Sequence, residues 1–151
     1  MRPVTLSMFT ALALCACTAN SQTVSKSPDA GPGQHLMSAY DVGVIFADTC
    51  LIRGANFEDA TEGVRVHNVT QNSQTGTYYH NKANLSVKVA NGQCSMVFAT
   101  DEPVDATVSQ LAKGTVSMVY PVPPGVDVTS RVEADGLRYF RVAVKAPIQS
   151  P

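Results

Sequence analysis

The groups that can do chemistry in this chain are few and scattered. Four cysteines stand at Cys15, Cys17, Cys50 and Cys94, and three histidines at His35, His67 and His80. Cys50 and Cys94 lie 44 positions apart, so they do not form the close Cys-x-x-Cys at a helix start that lowers a thiol pKa for redox exchange. Zinc would need more ligands than two such cysteines, and no His-x-x-x-His pattern supplies them. Two lone thiols turned toward one core in an oxidising compartment are most simply a disulfide. A bridge from Cys50 to Cys94 closes a loop of about 45 residues and contributes roughly 4 kcal/mol in the chain-entropy picture.

The histidines fall at a helix beginning, at a helix end and after two tyrosines, and as a set they make no constellation in the sequence. Each reads first as a surface or hydrogen-bonded core residue. Tyr78-Tyr79-His80 stands out because amphipathic aromatics on a loop or edge strand often make binding contacts. With a carboxylate brought near by folding, Tyr79 and His80 would suit a hydrolase. Glu58, Asp59 and Glu62 open one expected helix and Asp101, Glu102 and Asp105 another, where the positive helix start already explains them. Gly-x-Ser-x-Gly, a phosphate-cradling glycine loop and His-Glu-x-x-His do not occur. The expectation is therefore no catalytic residue, no cofactor and no metal site.

These groups are set in 151 residues, 44% hydrophobic and 15% charged, with a net charge of -1. The low charge argues against a disordered chain, and the near balance of sign leaves no global field for phosphate backbones, so no nucleic-acid partner is expected. One modest domain without internal repeats fits the length. The first residues are a different matter. Arg2 is followed by an apolar run from Val4 through Ala16, and no acidic residue comes before Asp29. A run of about 13 residues is shorter than the roughly 20 needed to cross a bilayer core, so it reads as an export signal rather than a permanent span.

The end of that run, Leu14-Cys15-Ala16-Cys17, resembles the bacterial lipobox, with Leu three positions before a cysteine and a small residue directly before it. The resemblance implies that residues 1–16 are removed as a lipoprotein signal peptide and that the Cys17 sulfur carries the lipid. Cys15 is excluded, because bulky Leu14 would occupy the site before it. The cysteine at the second lipobox position departs from the usual Ala, Ser or Thr. Plain cleavage after Ala19, giving a soluble secreted protein, is the alternative. Thr18, where an inner-membrane retention signal would place Asp, implies an outer-membrane anchor facing the periplasm. Residues 17–34 are rich in Ser, Thr, Pro and Gly and read as a flexible tether of roughly 20 to 25 Å root-mean-square reach.

Residues 35–147 are expected to form a single domain, with 148–151 as a tail. Leu36, Tyr40, Gly43, Ala47 and Cys50 recur at helical spacing toward Arg53-Gly54. Asn56 is expected to cap a second helix that presents Phe57, Ala60, Val64 and His67 on one face, and a polar loop is expected from Thr70 to Gly76. Leu85, Val87 and Val89 alternate with polar residues, Asn91-Gly92 suits a tight turn, and Cys94, Met96 and Phe98 resume the alternation. That turn pairs Leu85 with Phe98, Val87 with Met96 and Val89 with Cys94, all facing one way. Thr100 or Asp101 is expected to cap a helix carrying Val104, Val108 and Leu111 that ends at Gly114, and Val116 to Val122 reads as a strand. The last hairpin, with a three-residue loop Ala134 to Gly136, pairs Ser130 with Phe140, Val128 with Val142 and Val126 with Val144.

The sum is an α+β domain, an antiparallel sheet of about five strands with two or three helices packed on one face and one disulfide. In this register Arg131, Tyr139, Arg141 and Lys145 fall on the solvent side with Thr129, a basic stripe suited to an anionic partner and diluted by Asp127 and Glu133. The candidate binding surface is thus Tyr79, His80, Arg131, Tyr139 and Arg141. Phe46-Ala47-Asp48-Thr49-Cys50, followed by the single later Cys94, resembles small proteobacterial exported proteins and lipoproteins with a Phe-x-x-Thr-Cys stretch. That resemblance implies an envelope location and no activity. The functional expectation is a small cell-envelope lipoprotein with a non-catalytic binding or structural role, held at the membrane by the lipid on Cys17 and meeting an envelope protein or glycan. The alternatives are a hydrolase-like enzyme using Tyr79 and His80 and a secreted inhibitor or immunity-type module.

Overall fold

The computed structural model describes residues 35–53, 57, 59–133 and 136–146. The expected signal, lipidated Cys17, tether and tail, the Asn56 cap and the Gly54 helix stop lie outside them. Among the described residues no helix is long and apolar enough to cross a membrane.

Helix α1, Ala39–Phe46, begins where the Ser38 hydroxyl accepts the Asp41 N–H at 3.1 Å, and it continues as a π-helical stretch, Ala47–Ile52. The short α2, Ala60–Val66, follows, and α3 spans Val104–Met118. The strands are β1 (Val69–Gln71), β2 (Tyr78–His80), β3 (Leu85–Ala90), β4 (Gln93–Thr100), β5 (Val126–Val132) and β6 (Arg138–Lys145). They form one antiparallel sheet in the order β1-β2-β3-β4-β6-β5. The class is α+β, as the sequence predicts, with six strands rather than five.

Both expected hairpin registers are found. Leu85 faces Phe98, Val87 faces Met96 and Val89 faces Cys94 across β3 and β4, while Ser130 faces Phe140, Val128 faces Val142 and Val126 faces Val144 across β5 and β6. The turn residues Asn91 and Gly92 have positive φ of 54° and 66°, as a tight turn matched to the strand twist demands. Because side chains alternate, one register puts Leu85, Val87, Met96, Phe98, Phe140 and Val142 on the helix side, where all are buried. Phe98 and Phe140 stack there with ring centroids 5.6 Å apart. Ala39, Val42, Phe46, Ala60 and Val64 cover them from the helix layer.

The expected staple is present. Cys50 and Cys94 form a disulfide with α-carbons 5.6 Å apart, joining the π-helical stretch to the inward face of β4. Phe57, Ala60 and Val64 share the buried face expected of them, although Phe57 precedes the helix with φ of 57°.

The opening helix does not present the expected row, because Leu36 precedes α1 and Tyr40 is exposed while Ala39, Val42, Gly43, Ile45 and Phe46 are buried, and α2 starts after Asp59, later than an Asn56 cap would place it. Four further expectations fail. The segment Val116 to Val122 is not a strand, because α3 passes through Gly114 and ends at Met118. Gly114 sits where α3 crosses α1: a β-carbon there would collide with the Tyr40 carbonyl, and one at Gly43 with the Leu111 carbonyl. Small residues in place of apolar ones thus make the contact, and Thr115 Oγ1 reaches across it to the Gly43 carbonyl at 3.4 Å. Second, this crossing turns α3 so that Thr107, Leu111, Gly114 and Thr115 are buried, while Val104 and Val108 are exposed. Third, Pro103 is the N-cap residue, and the Thr100 hydroxyl instead accepts the Glu102 N–H at 3.1 Å. Fourth, the loop expected from Thr70 is shorter, because Val69–Gln71 pairs with Tyr78–His80 as two further strands.

Candidate functional site

The sheet face turned away from the helices is built from the alternate residues of the same strands. Register fixes its layout. One row runs straight across the sheet from Tyr79 through Ser86, Val97 and Arg141 to Thr129. Five strands at about 4.8 Å spacing make that row roughly 19 Å wide. A neighbouring row carries Lys88 and Ser95, and the row on the other side carries Tyr139 and Arg131. Together they line a groove of about 450 Å³.

Its chemistry is cationic and polar. Lys88, Arg131 and Arg141 line it, no Asp or Glu does among the described residues, and hydroxyls and amides from Ser95, Thr129, Asn91 and Gln93 fill much of the remainder. Arg141 lies along the sheet, its Nη2 donating to Gln93 Oε1 at 2.8 Å. Arg131 pairs with Glu133 beside the groove. Lys88 is exposed. A guanidinium has five donors, so the single Arg141 bond to Gln93 orients the side chain while leaving donors for an anion.

Of the five residues marked in the sequence as a candidate surface, Tyr79, Arg131, Tyr139 and Arg141 meet in this groove. Tyr139 corrects the expectation of a solvent-facing ring. It is 1% exposed and forms the groove floor, packed with Ala99, Val97 and Leu137, and its hydroxyl oxygen accepts a hydrogen bond from buried Asn84 Nδ2 at 3.2 Å. Asn84 Oδ1 has no hydrogen-bond partner.

His80 does not join them. Adjacent residues of a strand point to opposite faces, so Tyr79 opens on the groove while His80 turns to the helix side. Its Nδ1 accepts the backbone N–H groups of Lys82 at 3.1 Å and Ala83 at 2.7 Å. Burial lowers its pKa below the ordinary 6.5, and the neighbouring His67 and Lys82 charges lower it further. This imidazole is a turn cap held neutral, with no shared space in which to act with Tyr79 on one substrate.

A second polar cluster lies on the helix side. His67 Nε2 donates to Asp48 Oδ2 at 2.9 Å, and Arg53 reaches Asp48 at 3.6 Å and Glu62 at 3.7 Å. These pairs tie the π-helical stretch to α2. Groups of three or more His, Cys, Asp or Glu placed to hold a metal are absent among the described residues.

Sequence reasoning missed Lys88, Ser95 and Gln93 as groove residues. The signal was the alternation itself, since every residue out of phase with the inward set of β3 and β4 must face the other way. No protein family, curated protein or solved structure matches the chain.

Proposed function

We propose that the protein is a small cell-envelope lipoprotein with a non-catalytic binding role, anchored through a lipid on Cys17 and presenting the outer sheet face to a partner. The observation that carries the binding role is the convergence of Lys88, Arg131 and Arg141 with Tyr79 on one groove that no carboxylate lines among the described residues. Support for the location comes from the lipobox-like Leu14-Cys15-Ala16-Cys17 and from the Cys50–Cys94 disulfide, which is compatible with an oxidising compartment. An outer-membrane anchor facing the periplasm is the setting of this reading. A binding role is the reading that the groove's lining of cations, hydroxyls and amides supports.

The test is metabolic labelling of the full chain in a bacterial host with a clickable palmitate analogue, followed by membrane fractionation. The wild type should carry label and sediment with membranes, and Cys17→Ser should lose both. Label persisting on Cys17→Ser, or a wild type recovered unlabelled in the soluble fraction, would overturn the anchor.

A further inference from the structure

From the groove's charge and lining we infer that its ligand is an acidic oligosaccharide, a run of carboxylate-bearing sugars laid across the strands; this rests on the binding role proposed above. Three observations converge on that chemistry. The whole chain has a net charge of -1, yet Lys88, Arg131 and Arg141 gather in the groove, and although Glu133 beside it pairs with Arg131, the charges of Lys88 and Arg141 make the surface locally positive and complementary to an anion. Arg141 is held along the sheet by Gln93, which presents a planar fork suited to bidentate carboxylate binding. Between and around the cations stand Ser95, Thr129, Asn91 and Gln93, donors and acceptors of the kind that pair with sugar hydroxyls.

Tyr79 adds the remaining element, an aromatic ring at one end of the cross-sheet row, against which the C–H face of a sugar ring can lie. The groove volume of about 450 Å³ falls in the range of small-ligand sites and suits a short run of rings rather than a single ion. Its polar lining does not suit an acyl chain. An acidic peptide would satisfy the cations equally but would leave the ring of hydroxyls and amides with less to recognise.

The experiment is calorimetric titration of the detergent-solubilised full chain with three probes at low and moderate salt: oligogalacturonate, neutral maltohexaose and an oligoglutamate of similar charge. Oligogalacturonate should bind, weakening as salt screens the groove, with affinity at least about tenfold above either control. Arg141→Gln and Lys88→Gln should each weaken it by about tenfold at unchanged melting temperature, while Lys113→Gln on the exposed side of α3 should leave it unaltered. Oligoglutamate binding as tightly as oligogalacturonate, no binding of either, or indifference to Arg141→Gln would overturn the proposal. The labelling result at Cys17 is read independently, so a lipidated protein that ignores acidic sugars would refute the ligand class and leave the anchor standing.

Discussion

Tyr139 and Phe140 are neighbours in β6, each 1% exposed, and they point to opposite faces of the sheet. Phe140 enters the main core, stacked on Phe98 beneath the helices. Tyr139 enters a much smaller cluster with Ala99, on a face that no helix covers among the described residues. The helix side of β4 is apolar through Cys94, Met96 and Phe98, whereas the outer side mixes buried residues such as Tyr139, Ala99, Ser86 and Ala143 with the groove residues Lys88, Ser95 and Arg141 of the same strands. One face is therefore specified by volume and the other by polar pairing. Substitutions should separate the two: changes on the helix side act on stability, and changes among the groove cations act on binding.

The largest effect is expected where backbones touch. Ala exceeds Gly in helix propensity by up to about 1 kcal/mol, so on propensity alone Gly114→Ala would stabilise α3. A β-carbon there meets the Tyr40 carbonyl, which cannot rotate away. Steric overpacking should win, with a net loss of about 3 kcal/mol in denaturant unfolding. A neutral or stabilised Gly114→Ala would mean that α1 and α3 do not cross as closely as described.

A smaller loss is expected at the groove floor. Tyr139→Phe keeps the ring and removes the acceptor of the Asn84 Nδ2 hydrogen bond in a residue that is itself 1% exposed. Leaving that donor unpaired should cost about 1 to 2 kcal/mol, read in the same unfolding assay. Equal stability of the two proteins would show that the outer cluster is held by packing alone, which would blur the contrast between the faces.

The smallest effect concerns pH. His80 has a folded pKa below its unfolded value of 6.5, so the fold disfavours its protonation. Its contribution is fully present above pH 6.5 and is lost as the pH falls through the lowered folded value. Unfolding measured from pH 8 down to pH 5 should show stability declining in the acidic part of that range, and His80→Gln should flatten that decline. An identical slope in the variant would remove His80 from the account of the β2 turn.

How much of this could be read beforehand follows from what each element depends on. The two hairpins were legible because a turn of known geometry and an apolar alternation each fix the register, and both gave the same pairing of Val87 with Met96 and of Val128 with Val142. β1 and β2 were not, because Val69-Thr70-Gln71 carries no apolar alternation and acquires strand geometry only by pairing with Tyr78–His80. The end of α3 was misread because β-branched Val116 and Val119 favour strands locally, while the close approach of Gly114 to Tyr40 is a tertiary fact. In the groove, Arg131 and Arg141 followed from register alone. The burial of Tyr139 did not, since it depends on Asn84 and Leu137 arriving from elsewhere in the chain.

The most direct test of the outer face as the working surface is nuclear magnetic resonance of the side-chain N–H groups of Arg141, Gln93 and Asn84 during titration with oligogalacturonate. Arg141 Nε–H and the Gln93 amide should shift in a saturable manner while the Asn84 amide, sealed beneath Tyr139, stays in place. Shifts confined to α1 and α3, or no shift at Arg141 at saturating ligand, would contradict the account.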